Sequence, residues 1–509
     1  MSSRLLAMMM SGVIVLGAAT GCDEKAGSSR DAVADAPDAQ VSADAGASES
    51  RKRPAGPVAD LSEELHGGDG VFLGAADGSR LPDGYVEHEY VAAGTATAYQ
   101  ASGELGDDGR FSFEPGPTAE YRTRVLVRTP ERSAAASGTI IVEWLNVSGG
   151  ADANPEYASL EEEIVREGHT WVGVSAQMIG IEGGAVLVST PGGEGIAGKG
   201  IKQIDPERYG SLVHPGDGFA YDVFSQVARA LWQDEAALSG VVPKFMLAAG
   251  ESQSAAALTT YFNGVQPLTH VFDGFLVHSR GAGALPLVEP GKYADLAGAI
   301  TSGAHPILRD DLTVPVLELQ TEGDLTGLLN SSAARQPDTE HFRLWEVAGT
   351  AHADAHLVGA LADSLDCGAP INNGPMHIVA KAALHALDTW VRTGELPVGA
   401  DRIELDEGAR PMIRRNEDGI ALGGIRTPPV DVPVAVLSGE PGPNPEIICA
   451  LLGSAAPLSA ARLSELYSDR DDYLKKYQSA TDRAIESHFV LAAERAALLD
   501  FAEPSRIAP

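Results

Sequence analysis

The sequence predicts an α/β protein with a mostly parallel central sheet covered by helices on both faces. Three observations predict it. Short, nearly continuous apolar runs recur along the chain, as strands buried on both faces require. Helical stretches separate most of them, which is the rhythm of strand–helix–strand units. And 44% of the 509 residues are apolar, enough for a large core.

Taken in order, the first 21 residues read as a bacterial lipoprotein signal peptide. Arg4 supplies a positive start, and residues 5–19 form an apolar run. A bilayer span takes about 20 such residues, so this run fits a secretory signal better than a membrane helix. Ala19-Thr20-Gly21-Cys22 resembles a lipobox, although leucine is more usual where Ala19 stands. The resemblance implies cleavage before Cys22 and lipid on its sulfur. The competing reading is an ordinary signal peptide with an incidental cysteine. Residues 22–57 hold almost no large apolar side chain and are expected to be a disordered tether. The Arg51-Lys52-Arg53 triplet within it is assigned no partner.

Residues 85–130 read as strand material with partial alternation, and 139–145 as a buried strand. A helix is expected around 157–167, a strand at 169–176, a helix at 218–232 and a buried strand at 244–249. Then come a helix at 253–262, strands at 271–279, 315–320 and 341–348, and a closing helix at 375–393. Two stretches break the rhythm. Residues 178–204 are glycine-rich, and 281–311 is long for a simple crossover. Long loops in compact domains usually carry function, so both are read as parts of a lid or pocket wall. Residues 458–499 read as helical, with apolar spacing in Leu463, Leu466, Tyr467, Tyr473 and Tyr477. Trp144 and Trp171 are expected in the core.

The net charge of −34, from 37 basic and 71 acidic residues, argues against a nucleic-acid partner. It speaks to solubility and not to fold.

The strongest chemical signal is the run KFMLAAGESQS, residues 244–254. An apolar strand enters Gly250-Glu251-Ser252-Gln253-Ser254, and an alanine-rich helix follows. This is the context of a nucleophile elbow, where a strained turn exposes a serine between strand and helix. The residues two before and two after the serine must be small. Gly250 meets this, and Ser254 replaces the commoner glycine. The plainer alternative is a serine that caps a helix.

A serine nucleophile needs a base. His352, just beyond the last predicted strand, suits it because imidazole titrates near neutrality. His352 and His356 could also be read as a metal pair at helical spacing, but the glutamate of zinc peptidases is missing and no third ligand is evident. No metal and no cofactor are expected. The histidine needs an orienting acid. Asp324, after the strand 315–320, fits the spacing best; Glu322 is the runner-up and Glu318 lies within the strand. For the oxyanion, one donor is expected from the backbone N–H of Gln253 and a second from Val147 in the Asn146–Gly150 loop.

The chain resembles the bacterial α/β hydrolase domain-containing family with a GESQSA-type elbow. The stretches that carry the resemblance are VEWLNVSGG, HPGDGFAYDVFSQVARAL, AAGESQSAAALTTYFNGV, VHSRG, ELQTEGDL, WEVAGTAHAD and the helical C-terminus near YLKKY. They cover most of residues 60–505. The resemblance supports the α/β-hydrolase fold and the Ser252, His352 and Asp324 triad; the hydrolase domain is expected over 58–455, with lid insertions, followed by a helical extension over 456–509 packed on the core. The resemblance also implies carboxylic ester hydrolysis in broad terms.

Three functions compete. The leading one is a serine ester hydrolase working through an acyl-enzyme. The others are an amidase or peptidase with the same triad, and a non-catalytic surface binding protein on a hydrolase scaffold. The first expects a small-molecule ester as substrate and a lipid anchor in a bacterial membrane as the only other partner; the oligomeric state stays open. Arg280, in His278-Ser279-Arg280, could grip a substrate carboxylate or pair with a neighbouring acid. Asp217 is expected to cap a helix. Cys367 and Cys449 are expected to form one disulfide in an exported protein, against the alternative of two buried thiols.

Overall fold

Nine strands form one sheet, in the order β1-β2-β3-β5-β4-β6-β7-β8-β9. They are β1 (Asp60–Glu64), β2 (Tyr85–Ala101), β3 (Phe113–Pro130), β4 (Thr139–Trp144), β5 (Thr170–Val174), β6 (Phe245–Glu251), β7 (Gly274–His278), β8 (Val316–Thr321) and β9 (Phe342–Val347). This computed structural model describes residues 54–74, 81–189, 195–301, 303–408 and 410–508. The expected signal peptide, Cys22 and most of the tether lie outside the described residues.

From β5 across to β9 every pairing is parallel. All residues of β4 and β5 are buried, because helices cover both faces there. The long strands β2 and β3 pair antiparallel from Tyr85↔Pro130 to Ala101↔Phe113 and extend the sheet on one side. Here the burial of β2 is mixed, as expected where one face meets water. Beyond them β1 forms the edge: five residues, DLSEE, with an irregular register between Asp60 and Glu63. Sequence reading does not find β1, because so short a polar strand has no hydrophobic period. On the opposite edge, Ile425 N–H donates to Glu346 O and Ala348 N–H to Ile425 O, so a returning loop covers part of β9.

The helices sit on the two faces. On one lie α1 (Pro155–Glu167) and a long helix, Met376–Thr393. Proline opens α1, and Gly168 closes it with φ 66° in the left-handed region. Their apolar sides meet Ile141, Trp171, Leu317 and Trp345 of the sheet. On the other face, α2 (Ala220–Leu231) and α3 (Gln253–Thr260) pack around Trp144, Phe224, Tyr261 and Phe275. The helix expected at 253–262 runs further, through a π-turn at Tyr261–Val265 to Thr269. Trp144 and Trp171 are fully buried, as core residues.

After the long helix, here α5, come β10 (Ala435–Ser438) and β11 (Ser454–Pro457), a separate antiparallel pair. The short α4 (Leu296–Thr301) lies earlier, in the long 281–311 stretch. Between β10 and β11 sits α6 (Ile447–Leu451), and α7 (Ala460–Leu466), α8 (Arg470–Glu486) and α9 (Arg495–Asp500) end the chain. The expected boundary at 455/456 therefore cuts through β11. Lys52–Pro509 is one compact unit, and the C-terminal helices close on the core where Ala484, Val490 and Leu498 meet Ile378. Cys367 and Cys449 are joined by a disulfide, with Cα atoms 5.3 Å apart.

Candidate active site

Parallel strands deliver their C-terminal ends to one edge of the sheet, and the site is built there. The end of β6 carries Ser252, the turn after β8 carries Asp324, and the loop after β9 carries His352.

Ser252 stands at φ 63°, ψ −119°, a conformation that a side chain rarely adopts. The turn is tight enough that a Cβ at Gly250 would lie 3.0 Å from Ser254 Cβ and 3.1 Å from Leu258 Cδ1. That is why glycine precedes the serine by two and why only a small residue follows it by two. Ser252 N–H donates to His278 O at 2.9 Å, and Asn146 Nδ2 donates to Glu251 O at 3.1 Å, so neighbouring strand ends brace the strained turn.

His352 Nε2 lies 2.8 Å from Ser252 Oγ, and its Nδ1 lies 2.7 Å from Asp324 Oδ1. Asp324 Oδ2 accepts the Thr321 N–H at 2.6 Å, which fixes the carboxylate plane. Glu322, the runner-up, points elsewhere. Its Oε2 accepts Gly349 N–H at 2.7 Å, and its Oε1 accepts Gly439 N–H at 3.0 Å and Arg415 Nη2 at 2.8 Å. It braces the loop before His352 against the C-terminal segment. The structure thus brings Ser252, His352 and Asp324 together and leaves Glu322 and Glu318 out.

Two expectations need correction. Val147 sits beside the elbow, but its N–H already donates to Gln253 Oε1 at 3.2 Å and does not face the cavity free. The backbone N–H of Gln253 fits the expectation better: it occupies the first position of α3, where a helix leaves its amide without an internal acceptor. Arg280 is fully buried and cannot meet a substrate. Its Nη2 donates to Pro306 O at 2.9 Å and its Nη1 to Thr259 Oγ1 at 3.3 Å, with Glu318 Oε1 3.5 Å from Nε. The strand ends at His278 and Ser279 turns the chain at φ 53°, in the left-handed region, just before Arg280. Asp217 does not cap the helix at whose start it lies: it accepts Met178 N–H, at the start of the short helix Met178–Glu182, and Ala294 N–H.

Sequence reading missed a buried cluster behind the elbow. His278 Nδ1 lies 2.9 Å from Glu156 Oε2 and 4.0 Å from Glu251 Oε2. Burial opposes a charged imidazole here, but Glu156 outweighs it and raises His278 to about 9. Burial raises Glu251 to about 7 despite His278 beside it. These three side chains are close enough to hold a metal ion. A protonated His278 already supplies the positive charge, so a cation would first have to displace that proton. The only sequence signal was a charged residue next to Ser252.

Ser252 and His352 open into a cavity of about 200 Å³. Its described lining is aliphatic for the most part, including Leu187 and Val188 from the glycine-rich stretch and Leu296 and Ile300 from α4. Both stretches expected as a lid or wall therefore contribute.

A family model described as "Alpha/beta hydrolase domain" matches residues 55–500. The chain belongs to this alpha/beta hydrolase family. No curated protein matches the sequence of this hydrolase. It is similar to an esterase from the fungus Rhizomucor miehei, at 11% identity over 62% of this chain and 87% of that one, with a TM-score of 0.33. It is also similar to a putative dienelactone hydrolase from Klebsiella pneumoniae, at 12% identity over 60% and 99% of the two chains, with a TM-score of 0.30. A glucuronoyl esterase from Solibacter usitatus aligns at 11% identity over 61% and 85%, with a TM-score of 0.28.

Proposed function

We propose that this hydrolase cleaves a carboxylic ester through an acyl-enzyme on Ser252. The observation that carries the reading is the unbroken relay from Ser252 Oγ through His352 to Asp324 at the foot of an apolar cavity. His352 Nε2 takes the Ser252 proton as Oγ attacks the ester carbonyl. The oxyanion accepts from Gln253 N–H, at the positive end of α3. His352 returns the proton to the leaving alcohol as its C–O bond breaks. Water then gives a proton to His352, attacks the acyl carbonyl and releases the acid, and Ser252 recovers its proton. Asp324 holds the imidazole in the required tautomer and offsets its charge.

Ser252→Ala tests this. The folded variant is expected to lose both ester turnover and labelling by a fluorophosphonate probe. Undiminished turnover in a variant with unchanged circular dichroism would reject the nucleophile.

The protein is further proposed to be exported and held to a bacterial membrane through lipid on Cys22, with residues 22–57 as tether. The Cys367–Cys449 bond supports an oxidising compartment. Radiolabelled palmitate should enter the wild-type chain and not Cys22→Ser.

A further inference from the structure

The cavity at Ser252 has two walls of different origin. One comes from the sheet end and the insertions. The other is α6, which lies in the C-terminal part of the chain and brings Ile447 and Leu451 to the cavity. Residues four apart share one face of a helix, and a residue midway between them points the opposite way. The midway residue is Cys449. Its sulfur is bonded to Cys367, so a covalent tie holds the back of α6 while its front faces the cavity. Leu451 O accepts the Ala353 N–H at 3.0 Å, which couples the same helix to the residue after His352.

The chemistry of the lining is one-sided. Apart from the His352 imidazole, no described residue lining this cavity carries an ionisable side chain, in a protein of net charge −34. Ile447 and Leu328, both at the cavity, are among the large apolar side chains left exposed, at 43% and 42%. An apolar ligand would cover them, whereas a charged one would lose its hydration without gaining a partner.

Building on the ester-hydrolase reading, we propose that the cavity binds an uncharged hydrocarbon portion of the ester, and that Ile447 and Leu451, set in place by the Cys367–Cys449 bond, determine how long that portion is. The cavity is finite, about 200 Å³, so the gain from added carbon atoms must end at some chain length. Each methylene buried there should raise kcat/KM by about fourfold until the space is full.

The test is a chain-length profile on the full-length protein. The substrates are p-nitrophenyl esters from acetate to dodecanoate, a matched set of alkyl acetates, and one acyl ester ending in a carboxylate. In one of the two series kcat/KM should climb to an optimum at an intermediate chain length and then fall, which assigns the cavity to the acyl or the alcohol side. The carboxylate ester should react at least 100-fold more slowly than its uncharged counterpart. Leu451→Ala should move the optimum to longer chains. The double variant Cys367→Ser/Cys449→Ser should flatten the profile through KM for the longer esters, an effect that general loss of folded enzyme would not produce. Should the cysteine variant fail to fold, the wild-type profile with and without dithiothreitol reads the bond and Leu451→Ala reads the wall; an unchanged profile on reduction would remove the bond from the inference. Profiles that fall from acetate onward in both series, equal turnover of the charged ester, or an unmoved optimum in Leu451→Ala would overturn this inference while Ser252 still labels with fluorophosphonate. Absence of both labelling and ester turnover would instead overturn the underlying reading.

Discussion

Two histidine–carboxylate pairs stand at the same end of the sheet. His352 pairs with Asp324 at 2.7 Å, and His278 pairs with Glu156 at 2.9 Å. Judged by the pair alone they are equivalent. They differ in what lies around the ring. The second nitrogen of His352 meets Ser252 Oγ at the mouth of a cavity. His278 lies behind the elbow against two acids, and its backbone carbonyl, not its imidazole, holds Ser252. A histidine facing a carboxylate is thus no signature of catalysis by itself; the group on the other nitrogen and the open space beside it make the distinction. In His278 the same pairing serves to neutralise buried acid.

The comparison breaks most sharply at His352. His352→Ala should lower kcat by roughly 10⁶, as loss of the base does in a serine protease. Steady-state turnover of an activated ester in the folded variant measures it, and a loss under tenfold would make the two pairs equivalent after all. Next comes the acid. Asp324→Asn should cost about 10⁴ in turnover through the wrong imidazole tautomer. Glu322→Gln should stay within tenfold of wild type, because Glu322 binds loop amides and Arg415 and never reaches His352. The reverse ranking of these two would assign the orienting role to Glu322.

The smallest effect belongs to His278. His278→Gln should keep kcat within about tenfold and act on stability instead. The imidazole rises from 6.5 to about 9 on folding, so its contribution is full below pH 6.5 and is lost as pH climbs through 9. Glu251 rises from 4.5 to about 7, so the fold favours its protonated form, and ionising it also costs stability as pH climbs toward 7. Both slopes have the same sign. Wild-type thermal midpoints should fall between pH 6 and pH 9, and the variant should show a shallower fall over that range. Parallel curves for the two proteins would mean that His278 is not held as a cation.

Much of this was legible in the sequence because it follows from local rules. The runs at 139–145 and 244–249 have no period, as doubly covered strands must, and both are strands. The elbow was legible because small residues flank one serine between strand and helix, and Ser252 does adopt the strained turn. His352 and Asp324 were legible from their positions after strands, and they meet as the order of the strands requires. What failed depended on direction and neighbours. Arg280 sits at the right end of the sheet, yet its side chain turns inward to Pro306 and Glu318, which no spacing reveals. Val147 lies in the right loop, but a glutamine side chain 106 residues away takes its amide. The cluster of Glu156, Glu251 and His278 joins α1, β6 and β7, and nothing local marks three such distant residues as partners.

The outermost strand has a bearing on how this protein behaves in a crowded solution. A sheet edge is a row of unused hydrogen-bonding groups, open to any other chain with an edge of its own. In β1 that row is only five residues long, its register is irregular, and Asp60, Glu63 and Glu64 lie along it. Two copies that met along β1 would bring its acids together and find only a short, irregular row of backbone groups there. On the far side the loop at Ile425 takes up backbone groups at the C-terminal end of β9. Neutralising the three acids of β1 should therefore raise self-association along this edge, read as added light scattering in concentrated stocks.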